Sequence, residues 1–386
     1  MFLLLCLTLA AIVYVQVGYA VIMGALARLC PRKSQPTLPM PEAVSIILCV
    51  HNGAAGIEKR LRNLLELEWH GEREILVCCD GCTDATAPLA AQADPVAVRV
   101  LEFPQQRGKA AVLNDAVKNA RHAVIVFADL RQTFDRQALS LLAAAFRDPA
   151  VGAVSGLLRI APSEAGGGKG LDIYWRMETK LREWEARVDS VIGSTGAIHA
   201  IRRELFTDLR AGTILDDVVV PMQIASQGWR VAYEPRAVAH DPQPLAPEKE
   251  KQRKLRTLAG NYQMLFQHPC WLLPWRNRLW WQIISHKYAR LMVPWLMVVA
   301  LLLTLMQPKT PVVWLLLWLQ VLCYSLAVIG SFFPRLKARW ITIPSGFLML
   351  QWTCARAFFS YLRCRKDPLL IWAAGPRHPQ MKPEVR

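Results

Sequence analysis

Apolar residues fall along this 386-residue chain at two densities. Residues 2–27 form one apolar block and residues 291–361 are apolar with few interruptions, whereas 41–250 read as a soluble domain. In that middle region, buried-strand runs alternate with segments of helical spacing. Val44–Val50 (VSIILCV) is a strand by its continuous aliphatic run, followed by a helix over Ile57–Leu67 with Leu61, Leu64 and Leu65 in helical register. Strands over Glu74–Cys79, Val96–Phe103 and Ala123–Ala128 alternate with helices over Thr83–Ala93 and Lys109–Ala120. Such alternation at short spacing predicts an α/β fold, a parallel sheet with helices on both faces. Further on, the pattern loosens. It predicts helices over Ala138–Phe146, Asp172–Val188, 214–228 and 246–267, strands over Gly152–Leu158 and Trp229–Tyr233, and a flexible turn at Ala165–Gly170.

The flanking blocks divide the chain into four parts. Residues 1–30 read as an uncleaved transmembrane anchor, because no basic segment precedes the apolar run and no small-residue cleavage site follows it. Residues 42–267 form the soluble domain, behind a proline-rich linker. Residues 268–290, rich in Trp and Arg, suit a helix at headgroup level. Residues 291–386 form a C-terminal membrane region and tail, with spans over 291–306 and 311–333 and a re-entrant or interfacial segment over 341–361. The net charge of +16 follows from this layout, since Arg28, Arg32 and Lys33 flank the first block and Arg335, Lys337 and Arg339 a later one. That is the positive-inside pattern, and it places the soluble domain in the cytoplasm and excludes nucleic acid as the partner. The ten cysteines show no disulfide framework, and the C-x-x-C of Cys79 and Cys82 has no second pair at metal-ligand spacing.

In a parallel α/β sheet, ligands bind beyond the carboxyl ends of the strands. Those ends carry His51 and Asn52, then Asp80 and Gly81, then Asp129. Lys109, after Arg107 and Gly108, gives a cationic loop suited to a diphosphate. Asp129, directly after a buried strand, suits a divalent cation. Asp216 and Asp217 open a helix, where one of two carboxylates can act as a general base.

The order of these segments carries a resemblance. VSIILCVHNG, ILVCCDGCTDAT, RGKAAVLNDAV and VFADLRQTFD resemble the nucleotide-diphospho-sugar domain of family-2 glycosyltransferases. GSTGAIHAIRREL and ILDDVVVPMQIASQGWRVAYEP are similar to the acceptor and catalytic segments of its membrane-embedded branch. That branch includes the cellulose, chitin, hyaluronan and poly-N-acetylglucosamine synthases, and SHKYARLMVP resembles its junction into the membrane.

The resemblance, over roughly residues 42–300, implies a GT-A-like mixed sheet with membrane helices at both ends. It implies an inverting transferase that uses a nucleotide-sugar donor, a UDP-sugar, and a lipid-linked or polysaccharide acceptor. Asp80, near His51 and Asn52, would meet the nucleotide base and Lys109 the diphosphate. Asp129 matches the first aspartate of the D-x-D metal motif, for Mg²⁺ or Mn²⁺. Asp217 matches the general base, beside Asp216. Gly196 matches the acceptor-pocket segment, and Arg253 and Arg256 match the Q/R-x-x-R-W motif for diphosphate and acceptor. Two positions depart from the pattern. Arg131 replaces the second aspartate of D-x-D, which leaves three expectations: a metal held by Asp129, diphosphate and water; a guanidinium that offsets leaving-group charge; or a salt bridge pointing away. Thr257 replaces the motif's Trp and removes a stacking surface that processive synthesis would use. Loss of the metal ligand also frames the alternative, an inactive scaffold or subunit of a polysaccharide export complex.

Overall fold

The computed structural model describes residues 1–33, 35–160, 168–241, 247–308, 310–333 and 338–365. Four parallel strands, β1 (Ala43–Val50), β2 (Glu72–Asp80), β3 (Val98–Phe103) and β4 (Val124–Ala128), form one half of an eight-stranded sheet. The other half holds β5 (Thr133–Phe134), β6 (Val151–Ile160), β7 (Ile198–Arg202) and β8 (Arg230–Asp241), and the order is β3-β2-β1-β4-β7-β6-β8-β5. β7 runs antiparallel to both β4 and β6, so the sheet is mixed. β7, short and led by glycine, carried no strand signal in the sequence, although it lies at the centre of the sheet. β8 runs on to Asp241, eight residues beyond the expected end at Tyr233. Pro235 interrupts the apolar run there but not the strand, whose pairing to β6 shifts register near this point.

The helices come in chain order. The N-terminal helix comprises α1 (Phe2–Val13), a π-helical turn (Tyr14–Gly18) and α2 (Tyr19–Leu29). α3 (Ala54–Leu65), α4 (Thr86–Ala93), α5 (Lys109–Asn119), α6 (Ala138–Ala144), α7 (Gly168–Val188), α8 (Asp216–Ser226) and α9 (Pro247–Gln267) belong to the sheet domain. α10 (Trp280–Ile283), a second π-helical turn (Ile284–Tyr288) and α11 (Ala289–Met306) form one long helix, followed by α12 (Pro311–Phe332) and α13 (Arg339–Cys364). The expected turn at Ala165–Gly170 lies outside the described residues up to 167, and helix α7 begins at Gly168.

Two cores sandwich the sheet. One buries Ile46, Leu48, Leu61, Leu64 and Leu142 on one face. The other buries Ile47, Leu113, Ile125, Val219 and Ile224, and continues through Tyr262, Leu279 and Leu291 towards the membrane helices. The alternation of Ile46 and Ile47 between the cores is the period-two geometry of a strand buried on both faces. Among the described residues every cysteine is free, and Cys78 and Cys79 are core residues of β2.

Among the described residues, three helices are long and apolar enough to cross a membrane: Phe2–Leu29, Trp280–Met306 and Pro311–Gly330. They expose Leu3, Val21, Leu302 and Trp318, the outward apolar surface a bilayer would cover. The segment 268–290 is not one helix. A 3-10 turn at Pro269–Leu272 opens it, and from Trp280 the chain already belongs to the long helix. The stretch 341–361 lies within one uninterrupted helix despite Pro344, so it has no re-entrant break.

Candidate active site

β1, β2 and β4 end side by side, which brings the first group of polar residues together. Asp80, 6% exposed, ends β2, and its carboxylate accepts the backbone N–H of Arg107 (2.7 Å) and of Gly108 (2.9 Å). Asp80 therefore fixes the loop that delivers Lys109 as the first residue of α5. Gly81 has φ +62°, and a Cβ there would lie 2.5 Å from the Gln106 nitrogen, so only glycine lets the two loops meet. His51 donates through Nδ1 to the Asp80 carbonyl (2.7 Å), and Asn52, at φ +51°, accepts the Thr83 N–H on Oδ1 (2.8 Å). These contacts lock the β1 and β2 loops into one rim.

Lys109 joins this rim to the second half of the sheet. Its ammonium lies 3.3 Å from Asp129 and 3.1 Å from Asp216. Burial works to lower its pKa, but Asp129 and then Asp216 outweigh that and raise it well above the ordinary lysine value. Lys109 is thus a fixed cation. Asp216, 8% exposed, is committed to this bridge, which leaves the neighbouring Asp217 as the carboxylate that lies against the Gly196 loop. Burial, and then repulsion from Asp216, raise the Asp217 pKa to about 6, against the opposing pull of Lys109 and Lys287.

Gly196 sits directly against Asp217. A Cβ at Gly196 would stand 3.2 Å from Oδ2. The loop that carries it is pinned by Ser194, whose N–H and hydroxyl both donate to the Asp217 carbonyl (2.6 and 2.9 Å). Arg182 on α7 donates to Thr195 Oγ1 (2.8 Å) and Ser155 Oγ (2.9 Å) and lies over the Tyr233 ring. Burial lowers the pKa of Arg256, on α9, below the ordinary arginine value, and the charges of Asp217 and Asp216 oppose that. Arg253 lies one turn earlier, and Thr257 is exposed, its hydroxyl bonded back to the Arg253 carbonyl (3.0 Å).

Arg131 turns away from this cluster. It pairs with the buried Asp241 at the end of β8, and Gln132 donates to the same oxygen at 3.1 Å. Of the three expectations for Arg131, the fold displays the salt bridge.

Sequence patterning did not single out several groups. His199, 2% exposed on β7, stacks on Phe127 with centroids 4.6 Å apart, and burial lowers its pKa to about 4. It is a neutral imidazole beside the site. Arg60 on α3 is 1% exposed, covers the Phe134 ring at 4.2 Å and is drawn down to about 9 by burial, with Asp129 opposing. Arg182 and Lys287 were invisible because they come from helices far along the chain.

A family model described as "Glycosyltransferase like family 2" matches residues 41–260, which is more than half the chain and holds every site residue above except Lys287. The chain belongs to glycosyltransferase family 2. Among curated relatives of this transferase is the poly-beta-1,6-N-acetyl-D-glucosamine synthase of Staphylococcus aureus, 26% identical over 203 residues, covering 51% of this chain and 49% of the relative. The Staphylococcus epidermidis protein of the same name is 24% identical over the same length. The transferase thus spans about half the length of the curated relatives it matches. A mannosyltransferase from Pyrobaculum calidifontis, solved with GDP-Man and Mn²⁺, shares the fold over 92% of this chain and 98% of its own at a TM-score of 0.68 and 21% identity.

Among the described residues of the transferase, no group of three or more His, Cys, Asp or Glu side chains is arranged to hold a metal ion. Asp129 is the one carboxylate of D-x-D, 40% exposed and tied only to Lys109 among the contacts above. One carboxylate completed by substrate phosphates and water suits Mg²⁺, which keeps several waters and takes few protein ligands.

Proposed function

We propose that this protein transfers a sugar, with inversion, from a nucleotide-sugar donor to a lipid-linked or polysaccharide acceptor at the cytoplasmic face of a membrane. The observation that carries the reading is the pairing of the two halves of the cleft through Lys109. A cation fixed between Asp129 and Asp216 stands next to Asp217, a carboxylate basic enough to take a hydroxyl proton. His51, Asn52 and Asp80 frame the nucleotide side, and Lys109 and Arg256 supply positive charge for a diphosphate leaving group. A Mg²⁺ or Mn²⁺ ion held by Asp129 would add charge neutralisation there. On the acceptor side, Asp217 accepts the proton of the attacking hydroxyl, and Gly196 leaves room for that hydroxyl to approach. One in-line displacement inverts the anomeric centre with no protein nucleophile. A UDP-sugar is the expected donor. The names of the staphylococcal relatives support an N-acetylhexosamine and a polysaccharide product, and Thr257, exposed and unable to stack on a sugar, supports single addition over a processive cycle.

The test uses the full chain in detergent with a panel of UDP- and GDP-sugars and a membrane extract as acceptor source, and reads nucleoside diphosphate release. Asp217→Asn is expected to reduce release by about 10²–10⁴-fold, the usual contribution of a general base. Chelator is expected to stop the wild type and added Mg²⁺ or Mn²⁺ to restore it. Equal inertness of wild type and variant with every donor would replace this reading with the scaffold alternative, which the Arg131–Asp241 pair favours.

A further inference from the structure

One polar stripe of α7 joins the membrane helices to the loop that lies against Asp217. Glu178, Arg182 and Glu185 follow one another at helical spacing, so they share one face of the helix. Arg182 holds the loop. Its guanidinium donates to Thr195 Oγ1 (2.8 Å), Ser155 Oγ (2.9 Å) and the Gly193 carbonyl (3.4 Å), and it lies 5.0 Å over the Tyr233 ring. Ser155 Oγ in turn accepts the Thr195 N–H (2.9 Å). The next residue is Gly196, whose Cβ would stand 3.2 Å from Asp217 Oδ2. Thr195 is thus the link between the guanidinium and the residue that lies against the proposed base.

The two glutamates fasten the same face of α7 to the membrane helices. Glu185 Oε1 accepts the Tyr19 hydroxyl of the N-terminal helix (2.6 Å) and meets His286 Nδ1 (2.7 Å) in the long helix that runs to Met306. Glu178 meets His286 Nε2 (2.8 Å) and pairs with Arg290 (3.1 Å). Stability does not account for this choice of residues. Glu185 is 0% exposed, and among the described residues its second oxygen, Oε2, has no hydrogen-bond partner, which leaves the desolvation of an acceptor uncompensated. Apolar side chains of similar volume often match or improve on such buried ion pairs. What the polar groups add is direction. Their hydrogen bonds fix the rotation and height of α7 against both membrane helices, and with them the place of Arg182.

We propose that Arg182 is a positioning residue for the transfer step, setting the Gly193–Gly196 loop against Asp217, and that Glu178 and Glu185 make this setting depend on the membrane helices. The N-terminal helix and Trp280–Met306 are then part of the acceptor-side geometry as well as anchors. A shift of α7 moves the loop at Asp217, whereas the nucleotide side, held by Asp80, stays where it is. The inference rests on the transferase reading of Asp217 for its consequence.

The full-length protein in detergent, without substrates, is followed by hydrogen–deuterium exchange of the peptide that carries Ser194 and Thr195. Their N–H groups bond to the Asp217 carbonyl (2.6 Å) and to Ser155 Oγ (2.9 Å). Arg182→Gln is expected to speed that exchange about tenfold, and Tyr19→Phe, which removes one hydroxyl on the N-terminal helix, about threefold. Leu142→Ala, in the core on the other face of the sheet, is expected to lower the melting temperature and leave this peptide as in the wild type. In donor assays Arg182→Gln is expected to lower kcat about tenfold at unchanged donor KM, with a smaller loss of the same kind for Tyr19→Phe. The proposal is overturned if Leu142→Ala speeds the loop as much as Tyr19→Phe does. It is also overturned if kcat in an active Arg182→Gln enzyme is unchanged, or if the loss appears in donor KM instead. If Arg182→Gln fails to fold, judged by melting, the comparison of Tyr19→Phe with Leu142→Ala decides the matter. Full nucleoside diphosphate release by the wild type, with loop exchange indifferent to Tyr19→Phe, would overturn this inference alone. Coupled exchange in a protein that releases none from any donor would uphold the coupling while the transferase reading fell.

Discussion

At the scale of single residues, the site turns on the difference between two adjacent aspartates. Asp216 is committed to Lys109, and Asp217, next to it in a buried helix start, is left with a carboxylate raised to about 6. A general base must be unprotonated to act, so kcat/KM is expected to fall about tenfold per pH unit below pH 6 and to level off above it. A profile flat from pH 4.5 to 8 would remove Asp217 from that role. Gly196 gives a second check. Alanine there would press within 3.2 Å of the Asp217 oxygen, and a shift of a few tenths of an ångström is expected to lower kcat by about tenfold while donor KM stays put. His51, Asn52, Asp80, Lys109 and Asp129 could be found in the sequence because each follows a glycine or an apolar run at a strand or helix boundary. Arg182, His199 and Lys287 could not. They lie inside elements whose pattern is already explained by packing, and only the folded chain brings them to the cleft.

Among the elements, the amphipathic helix α7 ties the N-terminal helix to the sheet domain, packing on α2 and on β8. Leu181 and Trp184 pack on Tyr19 and Met23 of the N-terminal helix, and Gly24 permits this, since a Cβ there would meet the Trp184 ring at 3.2 Å. Gly24→Leu is expected to lower stability by about 1–3 kcal/mol through overpacking. Gly346→Leu, at a helical glycine with open space around it, is expected to stay near the parent. Thermal melting in detergent compares the two. This packing assigns Trp184 to helix–helix contact. The parallel strands β1 to β4 were legible because continuous aliphatic runs have one use in an α/β fold. β7 was not, since GAIHAIR is too short to establish a period, and its antiparallel course depends on partners far away in sequence.

For the whole molecule, the two halves of the sheet give the proposed nucleotide side and the proposed acceptor side separate structural origins. The first half has the local strand–helix logic that sequence patterning reads well. The second half, with β7, β8 and the long helices, depends on contacts across the chain, and the Arg131–Asp241 pair and the junction around His286 belong to it. The two π-helical turns, Tyr14–Gly18 and Ile284–Tyr288, tie that second half to the membrane, and they meet where Tyr14 and Ser285 share a hydrogen bond of 2.7 Å. A π turn is an α-helix with one residue too many, looped out so that the segments before and after it keep their rotational phase. Removing one residue elsewhere in such a helix rotates everything beyond it by about 100°. Removing Val17, which is exposed within its π turn, instead restores a plain α-helix and leaves Tyr19 and Met23 aimed at α7. The N-terminal helix should therefore accept a shortened chain at Val17 and reject one at Val21, as membrane yield and melting temperature of the two deletions would show.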